Sequence, residues 1–447
     1  KEALLEAKEE TGLPIALQSF ITTSVNMVDV GMLGHLGDVD IAAVGVANQI
    51  YFLLSLVLFG VSSGASVFMA QFHGKGDLPG VHRTMGIMYL LALAASLLFS
   101  AGALLIPERL ISIYSRDAAV IAEGASYLRI VGLSYVVTAF SYTMGFACRA
   151  TGNVRLPMLT SLLSVATNTL LNSILIFGLL GFPELGLRGA AIATAIARVV
   201  ELTVLAAVVY RKRTPVAANF RQLFLRFDRD FLKRYFRTSL PVLLNETLWS
   251  TGVSLYTVAY GLLGTGALAS VQIASTVFQL FLVLIRGLSD ACAILIGHKI
   301  GSGDEAGASR DGQRFMALVP MIGVVMCILL ILLRPVILTF FTVTPETLQM
   351  TMEMLALQAF MLIPKAFTMV IIVGLCRSGG DTLFACILDT ATVWVVAVPL
   401  AFLGANLGLP LWGVYLCVCS EDVVKAILGV PRILSKKWLH NVVADIA

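Results

Sequence analysis

Five of the carboxyl side chains in or at the edge of long apolar runs in this chain of 447 residues stand out as candidates: Asp29, Glu246, Asp290, Asp381 and Asp389. A charge inside such a run is costly in hydrocarbon, faces the protein interior or a water-filled cavity, and marks a functional site by default. Asp29 has the plainest chemistry. It lies in Asn26-Met27-Val28-Asp29-Val30-Gly31-Met32-Leu33-Gly34 with no cation within one helical turn. Burial disfavours the bare charge, so such a carboxyl takes up a proton or holds Na⁺ with neighbouring oxygens. Pro14, fifteen residues earlier, removes a backbone hydrogen bond and gives the same helix a hinge. Asn168 and Asn172 are one helical turn apart, so their amides share a face. They complete a polar or cation site with Asp29, or else act as hydrogen-bonding glue between helices. In the second half, Arg286 stands one turn from Asp290 as a neutralising partner. Lys365 is available to Glu246 or Asp389, and Asp381 stands where it can cap a helix.

The elements that must carry these residues are membrane spans. Hydrophobic residues make up 58% of the chain and charged ones 13%, against about 25% charged in a soluble domain; the mean hydropathy is +0.90. Crossing hydrocarbon takes about 20 apolar residues. Twelve stretches qualify: 12–34, 44–72, 84–106, 118–147, 156–180, 187–210, 239–264, 271–300, 314–334, 349–376, 383–404 and 409–431.

The two sets of six are copies. Pro14, Gly34, Gly37 and Gly60 recur as Pro241, Gly261, Gly264 and Gly287, and Gly74-Lys75-Gly76-Asp77 recurs as Gly301-Ser302-Gly303-Asp304. Arg149-Ala150-Thr151-Gly152 returns as Arg377-Ser378-Gly379-Gly380. The expected fold is therefore an all-α membrane protein with twelve transmembrane helices in two pseudo-symmetric six-helix bundles. An even number of spans per repeat gives both the same orientation, a duplication found in transporters. The expected boundaries are an N-lobe over 1–210, a basic inter-lobe loop over 211–238, a C-lobe over 239–434 and a tail over 435–447. The repeat sets Tyr256 against Asp29, so the halves are alike in fold but unequal in chemistry.

Lys and Arg crowd the loops on one side, above all 211–238, which by the positive-inside rule puts that loop and both termini in the cytoplasm. An anchor beside lipid headgroups explains the loop better than a nucleic-acid patch. Its stretch from Phe227 to Tyr235 reads as a short amphipathic surface helix. The charged start Lys1-Glu2-Ala3 lacks the pattern of a signal peptide. Seven cysteines without a Cys-x-x-Cys pair suggest neither a zinc site nor a disulfide framework. His35, His73, His82, His298 and His440 are scattered, and no His-Glu-x-x-His or nucleophile motif exists, which argues against an enzyme and against a cofactor. Aromatic residues within spans, among them Tyr51, Tyr142, Trp249 and Trp394, suit a flat organic cation where they line a cavity.

The pattern Pro14…Val28-Asp29-x-x-Met32-x-Gly34 resembles the multidrug and toxic compound extrusion (MATE) family, as do Gly74-x-Gly76-Asp77, Gly186-x-x-Gly189-Ala190-Ala191 and Gly297-x-x-x-Gly301-x-Gly303-Asp304. The likeness covers essentially the whole chain. The Asn168-x-x-x-Asn172 pair is similar to the NorM branch. The resemblance implies a V-shaped pair of bundles that exports small, mostly cationic amphipathic drugs in exchange for Na⁺ or H⁺, as a monomer in a bacterial plasma membrane, with lipids as its other partner. It also implies coupling-ion roles for Asp29 and Glu246 and a role for Asp381. Asp389 offers a rival acid to Asp381, and Asp290 has no counterpart in the family pattern. The competing transporter reading is a flippase for lipid-linked saccharides, whose anionic pyrophosphates need cavity bases; here the embedded acids outnumber the bases.

Overall fold

The computed structural model describes residues 38–224, 228–339 and 345–444. They are helical almost throughout, and the sole bridge of β type among them pairs Gly380 with Leu439. In chain order the helices are α1 (Asp38–Lys75), α2 (Leu78–Leu105), α3 (Pro107–Ser112), α4 (Ala118–Leu133), α5 (Tyr135–Ala150), α6 (Arg155–Phe177), α7 (Gly186–Arg211), α8 (Phe220–Phe224) and α9 (Arg229–Gly261). There follow α10 (Thr265–Gly301), α11 (Glu305–Leu338), α12 (Pro345–Met369), α13 (Thr382–Ala391), α14 (Val398–Asn406) and α15 (Leu411–Leu434). α12 runs on as a π-helical stretch over Val370–Arg377, and a second one, Thr392–Ala397, joins α13 to α14. α4 and α5 form one span bent by 51°. The bend falls at Ser134, whose hydroxyl donates back to the Val131 carbonyl at 2.7 Å and loosens the helical ladder.

The repeated Gly-x-Gly-Asp motif is a corner used twice. Gly76 and Gly303 take φ of +79° and +83°, a left-handed backbone that glycine adopts at little cost. The next residue caps the following helix: Asp77 accepts from the Gly80 amide at 3.0 Å, and Asp304 from the Gly307 amide at 2.8 Å. The same two glycines and aspartate thus turn the chain from α1 to α2 and from α10 to α11.

The stretch expected as a separate surface helix is not one. From Arg229 the chain forms the first turns of α9, which continues past Pro241 to Gly261, with Phe231 and Tyr235 buried. Neither glycine nor proline interrupts 229–240, so no breaker separates that stretch from the apolar part of the helix.

The chain divides into two units. One holds Asp77–Leu232 with the part of α1 before Ala70; the other holds Lys233–Ala447 with Ala70–Gly76. In the first, Leu54, Leu58, Leu128, Tyr135, Ala139 and Ile176 belong to the apolar core. In the second, the core runs through Ile285, Phe315, Leu362, Ile371, Val393 and Val414. The last described residues fold back along helix ends of this unit. Trp438 is 1% exposed, the His440 amide donates to the Gly379 carbonyl at 2.7 Å, and Asn441 donates to the Ile300 carbonyl at 3.0 Å. Gln71 donates to the Ser378 and His440 carbonyls and accepts from the Val442 amide at 2.8 Å. Here Gly74 and Gly301 let the ends of α1 and α10 meet, because a Cβ on either would overlap backbone of His298 or Gln71.

Candidate functional site

The carboxy-terminal unit contains a buried network of charges drawn from α9, α12, α13 and α15. On α15, Glu421 and Asp422 are adjacent and Lys425 follows one turn later; all three are at most 4% exposed. Lys365, next to Pro364 in α12, extends its ammonium to both acids, at 3.3 Å from Glu421 and 3.5 Å from Asp422. Thr368, nearly a turn further on, donates its hydroxyl to Asp422 Oδ1 at 2.9 Å. From α9, Tyr256 donates to Glu421 Oε2 at 2.9 Å. Lys425 bridges outward: its Nζ is 3.4 Å from Glu421 and 2.7 Å from Asp389 on α13. Asn245 of α9 donates to the other oxygen of Asp389 at 3.0 Å and accepts from Thr390 at 3.3 Å.

Two further pairs flank this network. Arg377, 6% exposed and the last residue of the first π stretch, meets Glu246 at 2.6 Å. Arg432 Nε meets Asp381 Oδ2 at 2.7 Å. A buried charge is tolerated when it is paired and hydrogen-bonded, and removal of one partner leaves an uncompensated charge. Every carboxylate in this network obeys that rule.

These contacts correct several expectations. Lys365 bonds neither Glu246 nor Asp389; Arg377 and Lys425 take those places, and Lys365 serves Glu421 and Asp422 instead. Asp381 occupies the cap position of α13 but makes no side-chain cap bond, because Arg432 of α15 claims its carboxylate. Arg377, which stands at the repeat position of Arg149, is an interior ion-pair partner. Asp290 is half-buried on α10, one turn past the exposed Arg286.

In the amino-terminal unit, Asn172 donates to Asn168 Oδ1 and Asn168 donates to Thr194 Oγ1, both at 3.2 Å, so the amide pair faces α7. Asp29 and Pro14 lie outside the described residues. The same unit holds Arg198 and Glu201, paired at 2.9 Å in the middle of α7, with the guanidinium 6.0 Å from the centre of the Tyr51 ring.

Arg198, Glu201, Glu421, Asp422 and Lys425 are charged residues inside spans that do not stand among the candidates named from sequence. A signal was present: they lie within the expected spans 187–210 and 409–431. Their spacing hid them, since opposite charges three or four residues apart read as self-neutralised pairs. Glu421 does meet Lys425, but both also reach other helices. Among the described residues no three His, Cys, Asp or Glu side chains converge as a metal site needs, and the seven cysteines are free thiols.

Two helical units built on one repeated pattern, with compensated charges inside the spans, define a polytopic membrane transporter of duplicated architecture. The MatE family model matches residues 14–174 and again 241–403, one match per repeat, and the chain belongs to that family. It is 24% identical to the uncharacterised transporter YisQ of Bacillus subtilis, over 96% of this chain and 94% of that protein. It is 25% identical to the probable multidrug resistance protein NorM of Thermotoga maritima, over 98% and 94%. A similarity of 26% to the multidrug resistance protein PmpM of Pseudomonas aeruginosa covers 89% and 83%. Among solved structures, a MATE protein in its straight conformation superposes with a TM-score of 0.86 at 22% identity, covering 97% of this chain and 96% of that one. An outward-facing MATE-family multidrug resistance transporter of the MOP superfamily gives 0.87 at 21%, covering 96% of each. The all-helical fold is thus the MATE fold.

Proposed function

We propose that the chain is a secondary antiporter of the bacterial cytoplasmic membrane, exporting organic cations by alternating access in exchange for inward H⁺ or Na⁺. The observation that carries this reading is the ion-paired network of Lys365, Asp389, Glu421, Asp422 and Lys425 inside the span bundle. Packing alone gives no reason to place five charges there, because well-packed apolar residues of similar volume are usually as stable or more so. Charges that change partners or occupancy during a cycle do give one. The multidrug-resistance names of the NorM and PmpM relatives support organic cations as the cargo.

In this scheme Asp29 is the coupling carboxyl of the first half, Asn168 and Asn172 shape its surroundings, and Pro14 lets its helix bend. Glu246 and its neighbours act in the second half. The excess of Lys and Arg in 211–238 sets the termini and that loop in the cytoplasm. The ion's concentration gradient drives a one-for-one exchange, and each inward charge beyond the charge carried out adds about 2.3 kcal/mol per 100 mV. The expected outcome for Asp29→Asn is loss of export with normal folding. It is measured as efflux of a fluorescent cation from vesicles under a pH gradient and, separately, a Na⁺ gradient. Undiminished efflux by that variant sinks the coupling role of Asp29.

A further inference from the structure

Within the network, carboxylates outnumber ammonium groups. Glu421, Asp422 and Asp389 share two cations, Lys365 and Lys425. The neighbouring pairs Glu246–Arg377 and Asp381–Arg432 are each neutral and do not change that count, although Arg377 also acts on Asp389. Among the described residues one buried negative charge is therefore left over, and burial makes a lone excess charge expensive.

The distances say where the excess sits. Lys425 is close to Asp389 at 2.7 Å, and Asn245 satisfies that acid's other oxygen. Asp389 thus has a counter-ion of its own. Glu421 and Asp422 divide Lys365 between them at 3.3 and 3.5 Å, and Glu421 has only a 3.4 Å claim on Lys425. The groups facing these two acids are Tyr256 and Tyr260 from α9, Lys365 from α12, Asp389 from α13, and Tyr415, Cys419 and Lys425 from α15 itself. The tyrosines and the thiol are neutral near pH 7 and the lysines are already charged. Of the groups around the excess, a carboxylate alone can remove it by taking up a proton.

A metal cation fits the place poorly. Both oxygens of Glu421 and both of Asp422 already accept from N–H or O–H donors: Lys365, Lys425, Tyr256 and Thr368. A hard cation needs several free oxygen lone pairs and would have to lie against two ammonium groups. Independently of the charges, both strands of the network are backed by irregular backbone. The π stretch Val370–Arg377 follows Lys365 and Thr368, and Thr392–Ala397 follows Asp389. Such stretches recur at functional sites.

We propose that Glu421 and Asp422, bridged by Lys365, form a site for one exchangeable proton in the second half of the transporter. This rests on the antiporter reading above and names H⁺ as the ion this half takes up. The step balances simply. A hydronium ion gives its proton to one carboxylate oxygen and leaves as water, the carboxylate becomes a neutral acid, and the network loses its excess charge. The acid O–H is then a donor, so Lys365 is no longer divided between two anions.

The experiment uses the full chain in liposomes with ethidium as the fluorescent organic cation, and the isosteric variants Glu421→Gln and Asp422→Asn. Either change removes the excess charge permanently and imitates the protonated state. Wild type is expected to move ethidium under a pH gradient in Na⁺-free medium and to release protons when ethidium is added in weak buffer. Each variant is expected to lose both while keeping the wild-type melting temperature. Wild-type proton release and pH-driven efflux in either variant overturns the proposal, as does wild-type efflux driven by Na⁺ alone at equal pH. If neither gradient drives efflux by wild type, the antiporter reading itself fails, which is a separate result. Should the single variants not fold, infrared difference spectra in the Asp29→Asn background decide. The carbonyl band of a protonated carboxyl should appear on acidification there, and its absence overturns the site.

Discussion

At the scale of single residues, Lys425 ties the buried charges together. Its ammonium is 2.7 Å from Asp389 and 3.4 Å from Glu421, and its side chain is 3% exposed. Replacing it with methionine keeps the stem's volume and deletes the charge. Two carboxylates then lose a donor in a place water does not reach. Breaking a buried pair from one side costs about 3–5 kcal/mol, so Lys425→Met should lower the melting temperature of the purified protein markedly. Adding Asp389→Asn should recover part of the loss, because the second charge no longer needs a partner. A single variant as stable as wild type would show the pair to be loosely hydrated. Little of this was legible in the sequence. Glu421 and Lys425 are spaced like a solvated surface pair on one helix. Only packing of α15 against α9, α12 and α13 turns them into a cross-helix network.

At the scale of elements, the duplicated corner separates two demands on glycine. Gly303 has open space where a Cβ would point but a φ of +83°. Gly303→Ala therefore costs backbone strain alone, about 1–2 kcal/mol. Gly301, two residues earlier, faces the Gln71 backbone. Gly301→Ala should be the more damaging change in thermal melts, since the helix ends must separate to admit a methyl group. Equal melting of the two variants would contradict that contact. Here much was legible in the sequence. The recurrence of Gly-x-Gly-Asp marked the duplication and apolar run lengths marked the spans, while the corner and its Asp cap emerge from the fold. What it missed followed from context. Phe227 to Tyr235 looked like a free amphipathic segment, yet Arg229–Gly261 is one helix because local propensity gives no stop before the apolar part begins.

At the scale of the whole molecule, the repeat shared by 14–174 and 241–403 fixes the architecture, while chemistry divides the halves. The first half keeps an acid at position 29 where the second has Tyr256, and Tyr256 is itself bonded to Glu421. The duplication could be read from glycine, proline and aspartate at turns, since those residues answer to backbone geometry. The division of labour could not, since it depends on which side chains meet across helices far apart in sequence.

One glutamine makes two of the hydrogen bonds that hold the segment after α15. Gln71 accepts from the Val442 amide and donates to the His440 and Ser378 carbonyls, and it lies in the last turns of α1. Gln71→Ala is expected to loosen that segment and expose the Trp438 indole, seen as a red shift and faster quenching of its emission once Trp249, Trp394 and Trp412 are replaced by phenylalanine. An unchanged spectrum would mean that the apolar seat of the indole suffices. An optical gauge thus sits where the segment after α15 docks, and its colour would report, in a working transporter, any loosening of that seat.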